Sequence, residues 1–118
     1  MAGRSIEDTS IAFIGAGNLA VNLAKALYRK GFRIVQVYSR TKESAQELAQ
    51  AVEAEFTTEL PGITKEAQLY IVSLKDAAFV ELLPEIVPGK GNALWVHTAG
   101  SIPMNIWRGH VERYGVLY

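Results

Sequence analysis

The chain has 118 residues, enough for one compact domain, and 49% of them are apolar, which excludes wholesale disorder. Its 12 basic and 12 acidic residues give a formal net charge of zero, and no block of like charge predicts binding to nucleic acid or to an anionic membrane. It has no cysteine, which excludes disulfides and thiolate metal sites, and its two histidines are too far apart in sequence to predict a metal centre. No signal peptide or membrane span is predicted, so we expect a cytoplasmic domain.

The first predicted elements are an apolar strand over residues 11–14, a glycine turn and a helix. After Asn18, apolar and small residues recur at helical spacing, and Gly31 stands where a helix-capping glycine belongs. A second apolar strand is predicted over Arg33–Tyr38. Together these elements form a βαβ unit of about 30 residues, the context in which a glycine turn carries information about function.

The glycine turn has the spacing G-x-G-x-x-A of a dinucleotide-binding fingerprint, with Gly15, Gly17 and Ala20 in the three slots. Gly15 permits the tight turn, Gly17 lets a pyrophosphate approach the backbone, and Ala20 lets the helix pack closely. The unpaired N–H groups and positive dipole end of that helix favour an anion. An ordinary structural turn is the alternative. The residues predicted to contact the dinucleotide here are Gly15, Ala16, Gly17, Asn18 and Leu19.

The end of the second strand predicts which dinucleotide is bound. An NAD site usually has an acid about 20 residues after the glycines, to bind the ribose hydroxyls. Here that place holds Ser39, Arg40 and Thr41, and a guanidinium attracts the 2′-phosphate that a carboxylate would repel. We therefore expect NADP, with NAD the less favoured cofactor. The alternative is that these residues only begin the next helix, with Thr41 as its cap.

The remaining predicted elements alternate between helices and strands, which indicates a doubly wound α/β fold: a mostly parallel sheet of about six strands with helices on both faces. In chain order they are a helix over 42–53, a short strand at 56–57, a turn or single helical turn at 60–62, a strand over 68–74, a helix over 77–83 capped by Asp76, a loop over 88–92, a strand over 93–98, a short helix over 101–107 and a strand starting at 115. Pro84 is either a kink or the first turn of a further helix.

Ligands of such folds lie beyond the carboxyl ends of the strands, so Ser73, Leu74 and Thr98 are predicted to line the nicotinamide side of the site. His97 could donate a proton there, although a histidine satisfied by the backbone is the favoured interpretation. Lys75 belongs to the same strand end and is predicted to lie on that side of the groove, with a solvated surface lysine as the alternative. The catalytic residues themselves stay unassigned.

Aromatic and large apolar residues near the end of the chain divide into two predicted groups. Phe79, Leu82 and Trp95 are expected in the core. Trp107 and Tyr118 are expected to be partly exposed and to face a missing partner domain.

Three segments carry a resemblance to a known family: residues 13–20, 37–41 and 96–103. They resemble the Rossmann-like NADP oxidoreductases related to pyrroline-5-carboxylate reductase and to the β-hydroxyacid dehydrogenases. The most similar subgroup couples this domain to a helical C-terminal domain of unknown function. The resemblance extends over nearly the whole chain.

The resemblance implies that residues 1–118 are a single NAD(P)-binding domain whose substrate and dimerisation domain is absent. The full-length protein would be a homodimer that transfers hydride between NADPH and a small imine, keto acid or hydroxy acid, while this chain alone would be inactive. Two other hypotheses stay open: a non-enzymatic nucleotide-binding or redox-sensing module, and an interaction domain that keeps a vestigial glycine turn.

Overall fold

The computed structural model of the chain describes residues 9–98 and 103–117. Strands and helices alternate along the chain. They are β1 Ser10–Ile14, α1 Asn18–Arg29, β2 Arg33–Tyr38, α2 Lys42–Ala51, β3 Glu55–Thr57, a 3-10 turn Leu60–Gly62, β4 Leu69–Val72, α3 Asp76–Ile86, β5 Leu94–Thr98, a 3-10 turn Met104–Trp107 and β6 Tyr114–Leu117.

The six strands form one sheet in the order β3-β2-β1-β4-β5-β6, and every neighbouring pair is parallel. This is the strand order of the Rossmann fold, and the predicted fold class is confirmed. The order reverses between β1 and β4, which are adjacent although α1, β2, α2 and β3 separate them in sequence. A crevice at this switch point, beyond the carboxyl ends of the strands, is where such folds bind ligands.

Alternate residues of β1 face opposite layers of the domain, because successive side chains of a strand point to opposite sides of the sheet. Ile11 and Phe13 pack in one apolar cluster with α1 and α2, while Ala12 and Ile14 pack in a second cluster with α3. Helices therefore cover both faces of the sheet. This explains why β1 reads as a continuous apolar run rather than an alternating one.

Several boundaries differ from the sequence-based prediction by one or two residues. Thr41 is at the N-cap position of α2, as predicted, but its side chain makes no capping hydrogen bond. Helix α3 begins at Asp76 itself, so the predicted cap is the first helical residue and Lys75 takes the N-cap position. Pro84 lies inside α3, which continues to Ile86, so it begins no separate helix.

The carboxyl end of α1 follows the prediction closely. The N–H of Gly31 donates to the carbonyl of Tyr28 at 3.0 Å, and the N–H of Phe32 donates to that of Leu27 at 3.1 Å. These two bonds are the Schellman pattern, and Gly31 has the positive φ of 97° that the pattern requires. The chain can therefore turn at once into β2.

Trp107 is fully buried, so the expectation that it is partly exposed and faces another domain is wrong. Its ring centroid lies 5.2 Å from that of Phe79 and 5.7 Å from that of Trp95, both also buried as predicted. The short Met104–Trp107 turn thus closes the apolar layer beside α3. Tyr118 lies outside the described residues.

In the part of the chain that the structure describes, every helix is too short or too polar to cross a lipid bilayer.

Candidate functional site

Gly15 joins the ends of three neighbouring strands. Its N–H donates to the carbonyl of Tyr38 at the end of β2, at 2.7 Å. Its φ is +114°, and a Cβ added there would overlap the carbonyl oxygen of Ser73 and lie 2.8 Å from the carbonyl carbon. The positive φ and the overlap with the Ser73 carbonyl both require glycine for the fold itself. An L side chain would be strained at this φ and would clash with backbone atoms that cannot shift without a large cost in energy.

Gly17 differs from Gly15 both in its backbone conformation and in the space that a side chain would enter. It is exposed at the N-cap of α1 with an ordinary φ of −76°, and a Cβ added there would meet nothing within 4 Å. The first turn of α1 carries no acidic residue, so its own side chains leave the positive end of the helix dipole uncompensated. The fold therefore leaves open space over Gly17 and places the start of a 12-residue helix beside it.

Ser39, Arg40 and Thr41 leave the sheet between β2 and α2. The Oγ of Ser39 accepts a hydrogen bond from the N–H of Thr41 at 3.2 Å, and the N–H of Ser39 donates to the carbonyl of Thr57 at 3.2 Å. Arg40 is exposed between them. Burial raises the pKa of the neighbouring Tyr38, and the positive charge of Arg40 acts in the opposite direction. The backbone of the turn is thus held by hydrogen bonds at Ser39 and Thr41, while the Arg40 side chain is exposed to solvent.

Ser73 and Thr98 meet at the carboxyl ends of β4 and β5. Val72 pairs with His97 in the sheet, so the next residues of the two strands lie side by side. The Oγ1 of Thr98 approaches the Oγ of Ser73 at 3.4 Å, and the N–H of Ser73 donates to the carbonyl of Ile14 at 2.8 Å. The predicted nicotinamide-side residues are therefore adjacent to the glycine turn.

A cleft of about 280 Å³ connects these segments. Its lining residues are Gly15, Ala16, Gly17, Ser39, Arg40, Thr41, Ser44, Ser73, Leu74, Lys75, Ala78 and Leu82. They include two cations and four hydroxyl groups, and none of these described residues is a carboxylate. The predicted residues from the two glycines, the end of β2 and the end of β4 are thus brought together in one place.

Three of the predicted contact residues lie beside the cleft rather than in its lining. Asn18 and Leu19 are exposed on the first turn of α1, and Thr98 reaches the cleft through its contact with Ser73. Their role in binding stays a prediction.

Three residues of the lining, Ser44, Ala78 and Leu82, were not predicted to lie there. Ser44 is one helical turn after Thr41, so helical spacing could have placed it on the same side. Ala78 and Leu82 are four residues apart on α3 and share a face in the same way. Leu82 was expected in the core, but it is half-buried and also lines the cleft. Lys75 is exposed, as expected for a solvated lysine, and it lines the cleft together with Ser73 and Leu74 of the same strand end.

His97 is 1% exposed and lies under the aromatic layer. Its Nδ1 accepts a hydrogen bond from the indole Nε1–H of Trp107 at 2.9 Å, so the expectation of a backbone partner is wrong for this nitrogen. Because Nδ1 accepts, the proton of the neutral ring is on Nε2. The rings of Phe79 and Trp107 flank the imidazole at 5.1 and 5.8 Å between centroids. Residues 99–102 lie outside the described residues.

Comparison with protein families identifies the chain. Residues 10–98 match the family described as NADP oxidoreductase, coenzyme F420-dependent. The chain belongs to this family. It is an NADP oxidoreductase-type domain, as the resemblance of the glycine turn and the end of β2 predicted. A comparison with curated proteins found no significant match.

Solved structures agree with this assignment. The chain is similar to a Bacteroides fragilis protein, described as a putative NADP oxidoreductase, at 74% identity and a TM-score of 0.92. The match covers 95% of this chain and 44% of that one, so the chain spans less than half the length of this relative.

Two more distant structures share the fold alone. An imine reductase from Myxococcus stipitatus, solved with NADP+, is 23% identical over 89% of this chain and 39% of its own, with a TM-score of 0.73. A prephenate dehydrogenase from A. aeolicus, solved with NAD+, is 18% identical over 95% and 42%, with a TM-score of 0.77. The fold is thus found in proteins solved with either dinucleotide.

Proposed function

We propose that this chain is the NADP-binding domain of an oxidoreductase and that the cleft between the glycine turn, the end of β2 and α3 is its cofactor site. The observation that carries the proposal is the composition of the cleft. Arg40 and Lys75 supply two positive charges, Ser39, Thr41 and Ser44 supply hydroxyls beside Arg40, and no carboxylate lies among the lining residues. Such a donor-rich surface suits a phosphorylated ribose and disfavours a site built around an acid.

The geometry of the glycine turn supports the position of the pyrophosphate. At Gly17 neither the backbone conformation nor a neighbouring atom of the chain requires glycine. A bound group that needs close approach to the backbone would require it. In the proposed pose the pyrophosphate lies over Gly17 at the start of α1, and the 2′-phosphate lies at Arg40.

The other half of the cofactor is proposed to lie at the ends of β4 and β5, beside Ser73, Leu74 and Thr98. The nicotinamide supplies the hydride when it is bound. The substrate class we propose is a small imine, keto acid or hydroxy acid. Since the chain spans less than half of its Bacteroides fragilis relative, we propose that further chain, in a homodimer, completes the site and shields it from water.

The decisive experiment compares NADPH and NADH binding to the wild type, to Arg40→Asp and to Arg33→Asp. Arg33 is exposed at the opposite end of the same strand, so its variant is a control with the same change of charge. We expect the wild type to prefer NADPH. Arg40→Asp should lose about 1–3 kcal/mol of NADPH binding, the value of a hydrogen bond to a charged group, and should reverse the preference. Arg33→Asp should leave it unchanged.

Calorimetric titration at two salt concentrations measures these differences, and added salt should reduce them because the contact is exposed. Equal or tighter binding of NADH by the wild type would show that Arg40 does not bind the 2′-phosphate.

A further inference from the structure

Lys90 is a charged residue buried at the edge of the sheet opposite the cofactor cleft. Only 7% of its surface is exposed, although it lies in the loop between α3 and β5. Among the described residues, its ammonium makes one long hydrogen bond, to the carbonyl of Pro88 at 3.5 Å. An ammonium has three N–H donors, and burying it without strong partners is costly. The remaining N–H donors of the Lys90 ammonium are therefore available to a ligand.

Two adjoining cavities open beside Lys90, at the amino ends of β4 and β5. Their volumes are about 330 and 470 Å³, and both are lined by Lys90, Asn92, Ala93 and Arg113. We call the two together the amino-edge crevice. The Nη1 of Arg113 donates to the carbonyl of Asn92 at 3.0 Å, which holds the guanidinium across the crevice. The remaining donors of its planar fork are available to an anion.

The charges around the amino-edge crevice are mostly positive. The side chain of Lys65 extends along Gly89, where a Cβ would lie 3.8 Å from the Lys65 ammonium. Glu112 is the carboxylate among the described lining residues, against Lys90 and Arg113 in the lining and Lys65 beside it. Burial lowers the pKa of Lys90, and the charge of Lys65 lowers it further. A bound anion would relieve both effects.

We propose that the amino-edge crevice binds the phosphoryl group of a small anion, held by the Lys90 ammonium and the Arg113 guanidinium, with Lys65 adding positive charge. A phosphate monoester carries a charge of about −1.5 to −2 at pH 7, which matches the three cations and one carboxylate that the described residues place at the crevice. A single carboxylate would neutralise only half of that excess.

This site is separate from the cofactor cleft. Strand β5, Leu94–Thr98, spans about 13 Å between the two edges of the sheet, at about 3.3 Å per residue. The two lining sets share no residue. Binding at the amino-edge crevice therefore does not depend on the proposed NADP site.

The test is an amide-resolved NMR titration of the ¹⁵N-labelled chain with inorganic phosphate and, separately, with glycerol 3-phosphate. Sodium chloride at matched ionic strength and sodium acetate are the controls. We expect saturable shifts at residues 89–93 and at Arg113, with a dissociation constant of about 1 mM or below. Phosphate alone saturating would indicate free phosphate as the ligand, and glycerol 3-phosphate alone saturating would indicate a phosphate monoester.

Three variants make the result specific. Lys90→Met and, independently, the exposed Arg113→Gln should each weaken the response by about tenfold or more. Arg40→Asp should leave it unchanged, because that residue lies in the other cleft. If Lys90→Met fails to fold, Arg113→Gln alone tests whether the crevice side chains bind the phosphoryl group. The proposal is overturned if residues 89–93 show no saturable shift, if the response survives both crevice variants, or if acetate produces it equally.

Discussion

Gly15→Ala and Gly17→Val should have opposite consequences, although the two glycines are two residues apart. At Gly15, a non-glycine residue at a φ of +114° costs about 1–3 kcal/mol in backbone strain. Overlap of the new methyl with the Ser73 carbonyl adds about 1–3 kcal/mol. The total is a large part of the roughly 5–15 kcal/mol that stabilises a domain, so the melting temperature should fall by about 10 °C or more.

At Gly17 the same reasoning gives a small effect on stability. The backbone is in an ordinary conformation and the added side chain enters open space. The expected cost is the loss of a favoured N-cap residue, about 1 kcal/mol or less. NADPH binding should weaken by about tenfold to 100-fold, because the valine methyl groups occupy the place proposed for the pyrophosphate.

Thermal melts followed by circular dichroism, together with NADPH titrations below the melting temperature, measure both effects. Gly109→Ala is the matched control for strain, since its φ is +86° and a Cβ there meets nothing within 4 Å. It should destabilise the chain less than Gly15→Ala does. If Gly17→Val binds NADPH normally, the glycine turn is only structural and the proposed cofactor site is refuted.

Three further outcomes are expected. Trp107→Phe removes the donor to the buried Nδ1 of His97 and should cost about 1–3 kcal/mol in urea denaturation; a loss below about 0.5 kcal/mol would contradict the importance of this bond. Wild-type stability, measured relative to Lys90→Met, should rise as the pH increases from the lowered pKa of Lys90 towards its ordinary value of 10.5, because over that window the unfolded chain keeps a proton that the folded chain releases. Parallel profiles of stability against pH for the wild type and Lys90→Met would rule out this contribution of the lowered Lys90 pKa. The 118-residue chain should bind NADPH yet show no decrease in NADPH absorbance with imine or keto-acid substrates, since the cleft that the described residues form is open to solvent; robust turnover would show that these residues are sufficient for catalysis.

Local sequence pattern was sufficient for the fold class and for much of the candidate site. The βαβ unit could be predicted because strand, glycine turn and helix leave signals within about 30 residues. The carboxyl ends of parallel strands meet at one edge of the sheet, so Gly17, Arg40 and Ser73 could be expected together from the sequence. The structure places all three in the lining of one cleft.

Features that depend on packing between distant segments were not predictable in this way. Trp107 looks like a residue near a chain end, but α3 and β5 provide the aromatic layer that buries it. Lys90 lies in the glycine-rich loop predicted over 88–92, yet the packing of that loop against the amino ends of the strands buries the residue. A local sequence pattern predicts whether a residue lies in a helix, a strand or a loop. Burial and hydrogen-bond partners depend on contacts from elsewhere in the chain, which for Trp107 and Lys90 only the tertiary structure decides.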